Sequence, residues 1–470
     1  MKTKILFLVT LLIPGLLFYS CKKIADHKDL SSAVVLVAAP ISDVGCLTPT
    51  GTNTELAVKG TMLSGKTYNV CGNLIVNEND TLTIQEGVTV NFNGNYGLGV
   101  KGTLICLGTK ENPNLFTAPG TVKTDQIGAD PAKDPALKAK WTGIIGGPTC
   151  KAIIIKWTHI EFGGATPSGA IATLSKSPYP LFFQNPYGIL VLEDSWVYGS
   201  VDDPIRTLGG KIAIMRNTFE KCGATGGEAL NAKAGTIGDF AYNLCIGIAT
   251  NGPKISNAGA AVGVPNSNVR IYNNTIVNCG YRRQAIGRGG SINFEQDAGG
   301  MAYNNLMVNC KFGLRVVQNP IADLENLRYG YNFTYADFAS VANQIYPSLL
   351  NSAAITEARS TDIPNPATFL PANWKPGDEY TANPIIIGAN NPQFIDAPVP
   401  LPAGVKLEDI TTVGKYNFAL KLTSPCIGKG FTNFTPRADV PIDPKFGATE
   451  ITPPGRDLGA YQINGTGNQH

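Results

Sequence analysis

Between Lys211 and Tyr335 a four-residue phrase occurs five times: Arg216-Asn217-Thr218-Phe219, Tyr242-Asn243-Leu244-Cys245, Asn273-Asn274-Thr275-Ile276, Asn304-Asn305-Leu306-Met307 and Tyr331-Asn332-Phe333-Thr334. Its second member is Asn each time, at intervals of 26, 31, 31 and 27 residues. Self-similarity at such a period marks a chain of stacked repeats. The phrases alternate β-branched or aromatic residues with polar ones between Gly-rich turns, which is strand chemistry. No helical pattern separates them, so they are not βαβ units. They read as successive coils of one parallel β-solenoid, in which each coil rests on the last. In that reading Asn217, Asn243, Asn274, Asn305 and Asn332 face inward at a turn, each amide bonding backbone and the next Asn.

The chain begins with Lys2 and Lys4, then an apolar run over residues 5–17, then Phe18-Tyr19-Ser20-Cys21. This is the pattern of a signal peptide, and the run is too short for a membrane-spanning helix. A Cys after a small residue at the cleavage point resembles the bacterial lipoprotein signal, although Phe18 stands where that signal usually has Leu. The resemblance implies a signal peptide over 1–20, lipidation of Cys21, and a membrane partner through that lipid. Lys22, where retention signals have Asp, implies the outer membrane. Residues 21–52 then read as a tether and lead-in.

Charged residues make up 16% of the chain, below the usual ~25%, and turn-formers are abundant, with 52 Gly and 32 Pro. The net charge of +3 is scattered. No basic stripe points to nucleic acid. Gly287, Gly289 and Gly290 lack a strand-to-helix setting, so they are no nucleotide loop. Ten cysteines and three histidines show no metal-ligand spacing. Cys222, Cys279 and Cys310 each follow a repeat Asn by five residues and, with Cys245 nearby, read as small buried side chains. Cys46 and Cys71 are candidates to pin the N-terminal end in an oxidising compartment.

Short alternating strands precede the Asn repeats: Thr81-Leu82-Thr83-Ile84, Val88-Thr89-Val90-Asn91-Phe92, a run from Leu98 to Thr109, and Leu115-Phe116-Thr117. The pattern Thr-Leu-Thr-Ile-x-x-Gly-Val-x-Val-x-Phe, then Gly-Leu-x-Val-x-Gly-x-Leu-x-x-x-Gly-Thr, then Phe-Thr, resembles the opening coils of bacterial right-handed parallel β-helix repeat proteins. Trp141-Thr142-Gly143-Ile144 and Trp157-Thr158-His159-Ile160-Glu161-Phe162-Gly163-Gly164 match that family's next strands. Ser424-Pro425 and Asp457-Leu458-Gly459-Ala460-Tyr461 match its C-terminal ending. The resemblance implies an all-β chain folded as a right-handed single-stranded parallel β-helix, the pectin-lyase-like solenoid of polysaccharide-acting enzymes. The expected layout is a β-helix over 53–335, with a loop thrown out over 110–140. An irregular, partly helical insertion would follow near 336–390, then final coils and a cap over 391–470. The chain is expected to be a monomer.

Aligning coils puts Ile205–Leu208, Leu230–Lys233, Ile292–Glu295 and Leu314–Val317 in one sheet. Period-two alternation then turns their second and fourth members outward. The expected result is an exposed row of Arg206, Asn231, Asn293 and Arg315 flanked by Lys233 and Glu295, with Arg282, Arg283, Arg288 and Asp297 on adjoining loops. Arg and polar donors in a row suit an anionic or neutral glycan, and an ordinary solvated sheet face is the plainer alternative.

A lyase would need a base beside Arg or Lys, and usually Ca²⁺ on clustered carboxylates; Asp202-Asp203 is the one adjacent acidic pair near the sheet. A hydrolase would need two carboxylates flanking a bond, for which Glu295 and Asp297 are candidates. His159 and Glu161 share a strand face and read as surface residues. The readings are a lipid-anchored envelope β-helix that binds glycan or acts as an adhesin without catalysis, a polysaccharide lyase or hydrolase on the same sheet, and a structural spacer. The first is preferred because no carboxylate cluster stands out. No cofactor is expected, apart from Ca²⁺ in the lyase case. Cys21→Ser is expected to move the protein from the membrane to the soluble fraction; continued membrane association of the variant would place the anchor elsewhere.

Overall fold

The structure, a computed structural model, describes residues 39–123, 131–175, 177–283, 285, 288–317, 322, 323, 325–337, 391–400 and 416–470. The lipidation candidate Cys21 and nearly all of the expected insertion lie outside these residues.

Three long parallel sheets run the length of the described coils. The first has eleven strands, from Cys46–Leu47 to Phe333–Tyr335. The second has ten, from Glu55–Ala57 to Leu314–Val316, and the third has ten, from Gly60–Met62 to Leu327–Gly330. Successive strands visit the three sheets in turn, so each strand pairs with the strand three places on. The chain is a parallel β-helix. Among the described residues, helix is confined to short turns, such as Ile171–Leu174.

Coil stacking puts like beside like. One inward column of the first sheet reads Val90, Phe116, Ile160, Val197, Phe219, Cys245, Ile276, Met307. One inward column of the third reads Ile84, Cys106, Ile155, Leu192, Ile214, Phe240, Ile271, Ala302, Tyr329. All these side chains belong to one continuous apolar core. In the neighbouring column of the third sheet Gly238 and Gly300 take the place of a side chain. Their φ angles are +135° and +143°, and a Cβ would meet the carbonyl oxygens of Ile212 and Val269.

At the corner between the third and first sheets the repeat Asn amides form an unbroken stack. Asn217, Asn243, Asn274 and Asn305 each donate Nδ2 to the next Asn Oδ1, at 2.9, 3.2, 2.9 and 3.0 Å. The same Oδ1 also accepts that residue's backbone N–H, at 2.9–3.1 Å. A further Nδ2 bond reaches a third-sheet carbonyl of the preceding coil: Leu192, Ile214, Phe240, Ile271 and Ala302 for Asn217 to Asn332 in order. Ser195 carries the stack toward the N-terminus, its N–H donating to Asn217 Oδ1 and its Oγ accepting Thr158 N–H, both at 3.0 Å. The residue before each Asn is left-handed: Arg216, Tyr242, Asn273, Asn304 and Tyr331 have φ of +51 to +60°. That conformation costs roughly 1–2 kcal/mol per non-Gly residue, and the amide bonds of the stack offset it.

Cys46 and Cys71 form a disulfide across the first coils, with Cα atoms 5.8 Å apart. Cys222, Cys245, Cys279 and Cys310 are buried free thiols. Burial pushes the Cys222 thiol up to about 12.

The expectation of final coils over 391–470 does not match the described chain. Those of them that are described add no strand to the parallel sheets. Phe394–Asp396 and Asn417–Leu420 pair antiparallel, and residues 421–470 run as a strap back along the outside. The reason lies in the outer face of the third sheet, where Ile105, Ile154, Val191 and Ala213 form an outward apolar column. Val440, Phe446, Ala448 and Ile451 of the strap cover it. Polar contacts lock the strap down: Arg437 and Ala438 N–H groups donate to Asp239 at 2.8 Å, and Lys156 Nζ to Pro444 O at 2.9 Å.

Asn274→Ala would leave the N–H and Nδ2 of Asn243 without their acceptor. Equilibrium unfolding in denaturant is expected to show a loss of about 1–3 kcal/mol, and a midpoint equal to the parent's would mean the stack contributes little.

Candidate functional site

The outward column of the second sheet changes character half-way along. It begins apolar with Ile75, Ile145 and Phe182, which the segment carrying Ile171, Leu174 and Tyr179 covers. From the next coil it is polar, in the register Arg206, Asn231, Lys254, Asn293, Arg315. Tyr179 marks the boundary: its ring stacks on Phe182, and the Arg206 guanidinium lies 4.7 Å from its centroid and donates to its hydroxyl.

All four residues expected in the row share this column, but the row is not exposed. Asn231, Asn293 and Arg315 are 2, 4 and 3% exposed. The loops at the corner between the first and second sheets rise beside the strands and bury them. The row is therefore the floor of a cleft of about 360 Å³, walled by Asp202, Thr225–Gly227, Arg283 and Arg288. A side pocket of about 20 Å³ continues it toward Asn251, Asn293 and Arg315.

Two residues of this floor escape a reading of the sequence. Lys254 lies in Asn-Gly-Pro-Lys-Ile (251–255), where Gly252 and Pro253 argue against a strand. Pro253 is accommodated because it sits opposite Leu230, facing inward with it. Glu228 follows Gly226-Gly227 and reads as loop, yet it opens the strand Glu228–Lys233.

The carboxylates divide sharply. Asp203 is fully buried; Oδ1 accepts Glu228 N–H at 2.8 Å and Oδ2 accepts Asn231 Nδ2 at 2.9 Å. Arg206 Nε stands 2.9 Å from Oδ2, at an angle that makes an ion pair and not a hydrogen bond. Burial, then the Glu228 charge, push the Asp203 carboxyl well above its ordinary range. Glu228 is also buried, but its bond with Asp203 and the Lys254 ammonium 3.8 Å away hold its carboxyl low. Of the two, Asp203 is thus the readier to take a proton and Glu228 the readier to carry charge. Asp202 lines the cleft, raised by burial and by Glu228. A shared Ca²⁺ site on Asp202 and Asp203 does not fit, because both Asp203 oxygens are occupied and Arg206 lies against them.

Glu295 does not pair with Asp297 as a hydrolase would require. Glu295 is taken by Lys254 at 2.8 Å and by Asn293 at 3.1 Å, whereas Asp297 is exposed in the following turn, with φ +58°. Arg282 lies outside the cleft; it is buried and donates to the carbonyls of Cys222, Gly223 and Gly247. Burial lowers its guanidinium to about 10. Arg315 donates to Gly289 O at 3.1 Å and stacks on Phe312. His159 and Glu161 belong to the first sheet, away from the cleft, with Glu161 paired to Lys123 at 2.6 Å and His159 stacked on Trp196.

Among the described residues, Lys233 is one of the cleft's cations left without a carboxylate partner, beside Arg283 and Arg288. It is half-buried at the cleft and, among the described residues, in no ion pair. Burial, then the charges of Arg206 and Lys254, lower its ammonium from the usual lysine value. With Arg206, Lys254, Arg283 and Arg288 facing Asp202 and Glu228, the cleft carries surplus positive charge. Comparison of the chain with protein-family models, curated proteins and solved structures finds no match.

The raised carboxyl of Asp203 makes stability depend on pH. A carboxyl raised in the fold binds its proton more tightly folded than unfolded, so its contribution is present at acid pH and lost as pH rises past the ordinary 3.8 toward the folded value. Asp203→Asn removes this term. Melting curves across pH 4 to 8 are expected to show the variant gaining on the parent as pH rises; parallel curves would mean that Asp203 is already ionised in the fold.

Proposed function

We propose that the protein is a lipid-anchored outer-membrane β-helix whose second-sheet cleft binds an anionic glycan without turning it over. The observation that carries this reading is the surplus of cations in the cleft, above all Lys233 with no carboxylate of its own. A carboxylated sugar would supply the missing charge, and the guanidinium groups of Arg283 and Arg288 at the rim suit planar carboxylates. The binding face belongs to a solenoid of the kind shared with polysaccharide-acting enzymes, and its floor runs parallel to the coil axis, as an extended glycan does. The lipid anchor at Cys21 follows from the opening sequence. It would hold the cleft at the membrane surface, facing either side, where a glycan-binding β-helix serves as an adhesin.

A second reading, polysaccharide lyase, is favoured by one observation, the lowered ammonium of Lys233. A lysine easier to deprotonate is a candidate base for the proton beside a uronate carboxyl, with Arg206 or Arg283 holding that carboxylate. Asp203, fully buried, cannot reach a ligand, which weighs against a hydrolase on this face.

Calorimetric titration of residues 22–470 with uronate and neutral oligosaccharides separates these readings. Binding of the uronate alone is expected, weakening with salt and falling about tenfold or more in Lys233→Ala and Arg283→Ala, a loss of about 1.4 kcal/mol or more. New ultraviolet absorbance from an unsaturated uronate would move the assignment to a lyase. Absence of any binding would leave a spacer or a protein-binding adhesin.

A further inference from the structure

Two buried acceptors beside the cleft have no donor. Asn231 Oδ1 and Asn251 Oδ1 make no hydrogen bond among the described residues, although their side chains are only 2 and 4% exposed. Their orientation is fixed from behind. Asn231 Nδ2 donates to Asp203 Oδ2 at 2.9 Å and Glu228 Oε2 at 3.2 Å, and Asn251 Nδ2 donates to Glu228 Oε1 at 3.4 Å. Turning either amide over would set its oxygen against a carboxylate. The two oxygens are therefore held as acceptors on a rigid sheet, and a buried acceptor without a donor costs free energy until something supplies one.

The space in front of them limits what that donor is. Asn231 lines the main cleft. Asn251 lines the side pocket, which shares Glu228, Thr250, Lys254 and Arg288 with the cleft and measures about 20 Å³. A cavity needs roughly 10–15 Å³ to hold one water, so the side pocket has room for one oxygen-sized group and little more. A hydroxyl fits; an acetyl ester or a sulfate does not.

We propose that Asn231 and Asn251 are specificity-determining residues that accept hydrogen bonds from free ring hydroxyls of the bound saccharide, with Asn251 reading a single hydroxyl in the side pocket. Charge then selects an acidic sugar and the two amides select an unesterified one. The assignment rests on the glycan-binding reading above. A site built around a hydroxyl discriminates strongly against a ligand that lacks it, because its buried polar groups are then left unpaired.

The experiment is a titration of soluble residues 22–470 with a tetramer of galacturonic acid, as such and after O-acetylation of its ring hydroxyls. The unmodified tetramer is expected to bind and the acetylated one to bind at least about tenfold more weakly. Asn251→Leu keeps the volume and removes the acceptor, so it is expected to bind the unmodified tetramer about tenfold more weakly than the parent does and the acetylated one no differently, narrowing the preference. Equal binding of both forms by the parent protein would overturn the hydroxyl reading and leave the anionic-glycan reading standing. Failure of both forms to bind would overturn the two together. If Asn251→Leu does not fold, the parent protein's preference between the two ligands decides; if the variant folds and binds the unmodified tetramer as tightly as the parent does, Asn251 is not the reader.

Discussion

From Trp157 onward each described coil of this protein turns at the corner between the third and first sheets through a left-handed residue, and none of these residues is Gly. Arg216, Tyr242, Asn273, Asn304 and Tyr331 hold this conformation one above another. They are held by the side chain that follows, whose amide bonds forward to the next coil and back to the last one. The stack thereby does two things at once. It satisfies backbone groups that the turn leaves without sheet partners, and it fixes the register of every strand that leaves the corner. A one-residue slip would turn a whole strand inside out. The straight columns of core residues, and the straight row of polar residues on the second sheet, both follow from that register.

The cleft depends on the register in a second way. Coils lie about 4.8 Å apart, so charged side chains in one column are forced into contact along the axis. Arg206, Asn231, Lys254, Asn293 and Arg315 are neighbours because of the stacking, and the acids that meet Arg206 and Lys254 come from the strand starts and ends: Asp203, Glu228 and Glu295. A column of five such groups on a bare sheet would be solvated. Here the corner loops enclose it, and the enclosure is what drives the two acids apart, the Asp203 carboxyl upward and the Glu228 carboxyl downward.

The solenoid was legible because its signal is repetitive. Five Asn in one sequence context gave the corner, and alternation gave the in-and-out sense of Ile205–Leu208, Leu230–Lys233, Ile292–Phe294 and Leu314–Val316. What was not legible breaks the repeat. Ser195 and Thr158 continue the stack with smaller side chains and so carry no Asn to align. Lys254 was hidden by Gly252 and Pro253, and Glu228 by the glycines before it. Burial of the polar row depends on loop height, which strand periodicity does not encode. The strap, too, has no period: its Gly- and Pro-rich text resembles a coil ending, while its apolar residues match a stripe more than 200 residues earlier in the chain.

That strap changes how the molecule behaves as a repeat protein. A bare solenoid couples only nearest neighbours, so its ends fray and coils are gained or lost with little penalty. Residues 430–470 instead grip positions from Lys156 to Asn304 on the same side. Inserting or deleting one coil anywhere in that interval would shift half of the grip points along the axis by about 4.8 Å, beyond the reach of a hydrogen bond. The strap thus acts as a ruler: it ties distant coils into one cooperative unit and fixes their number, so that this stretch varies by substitution and by its loops, and not by duplication of coils.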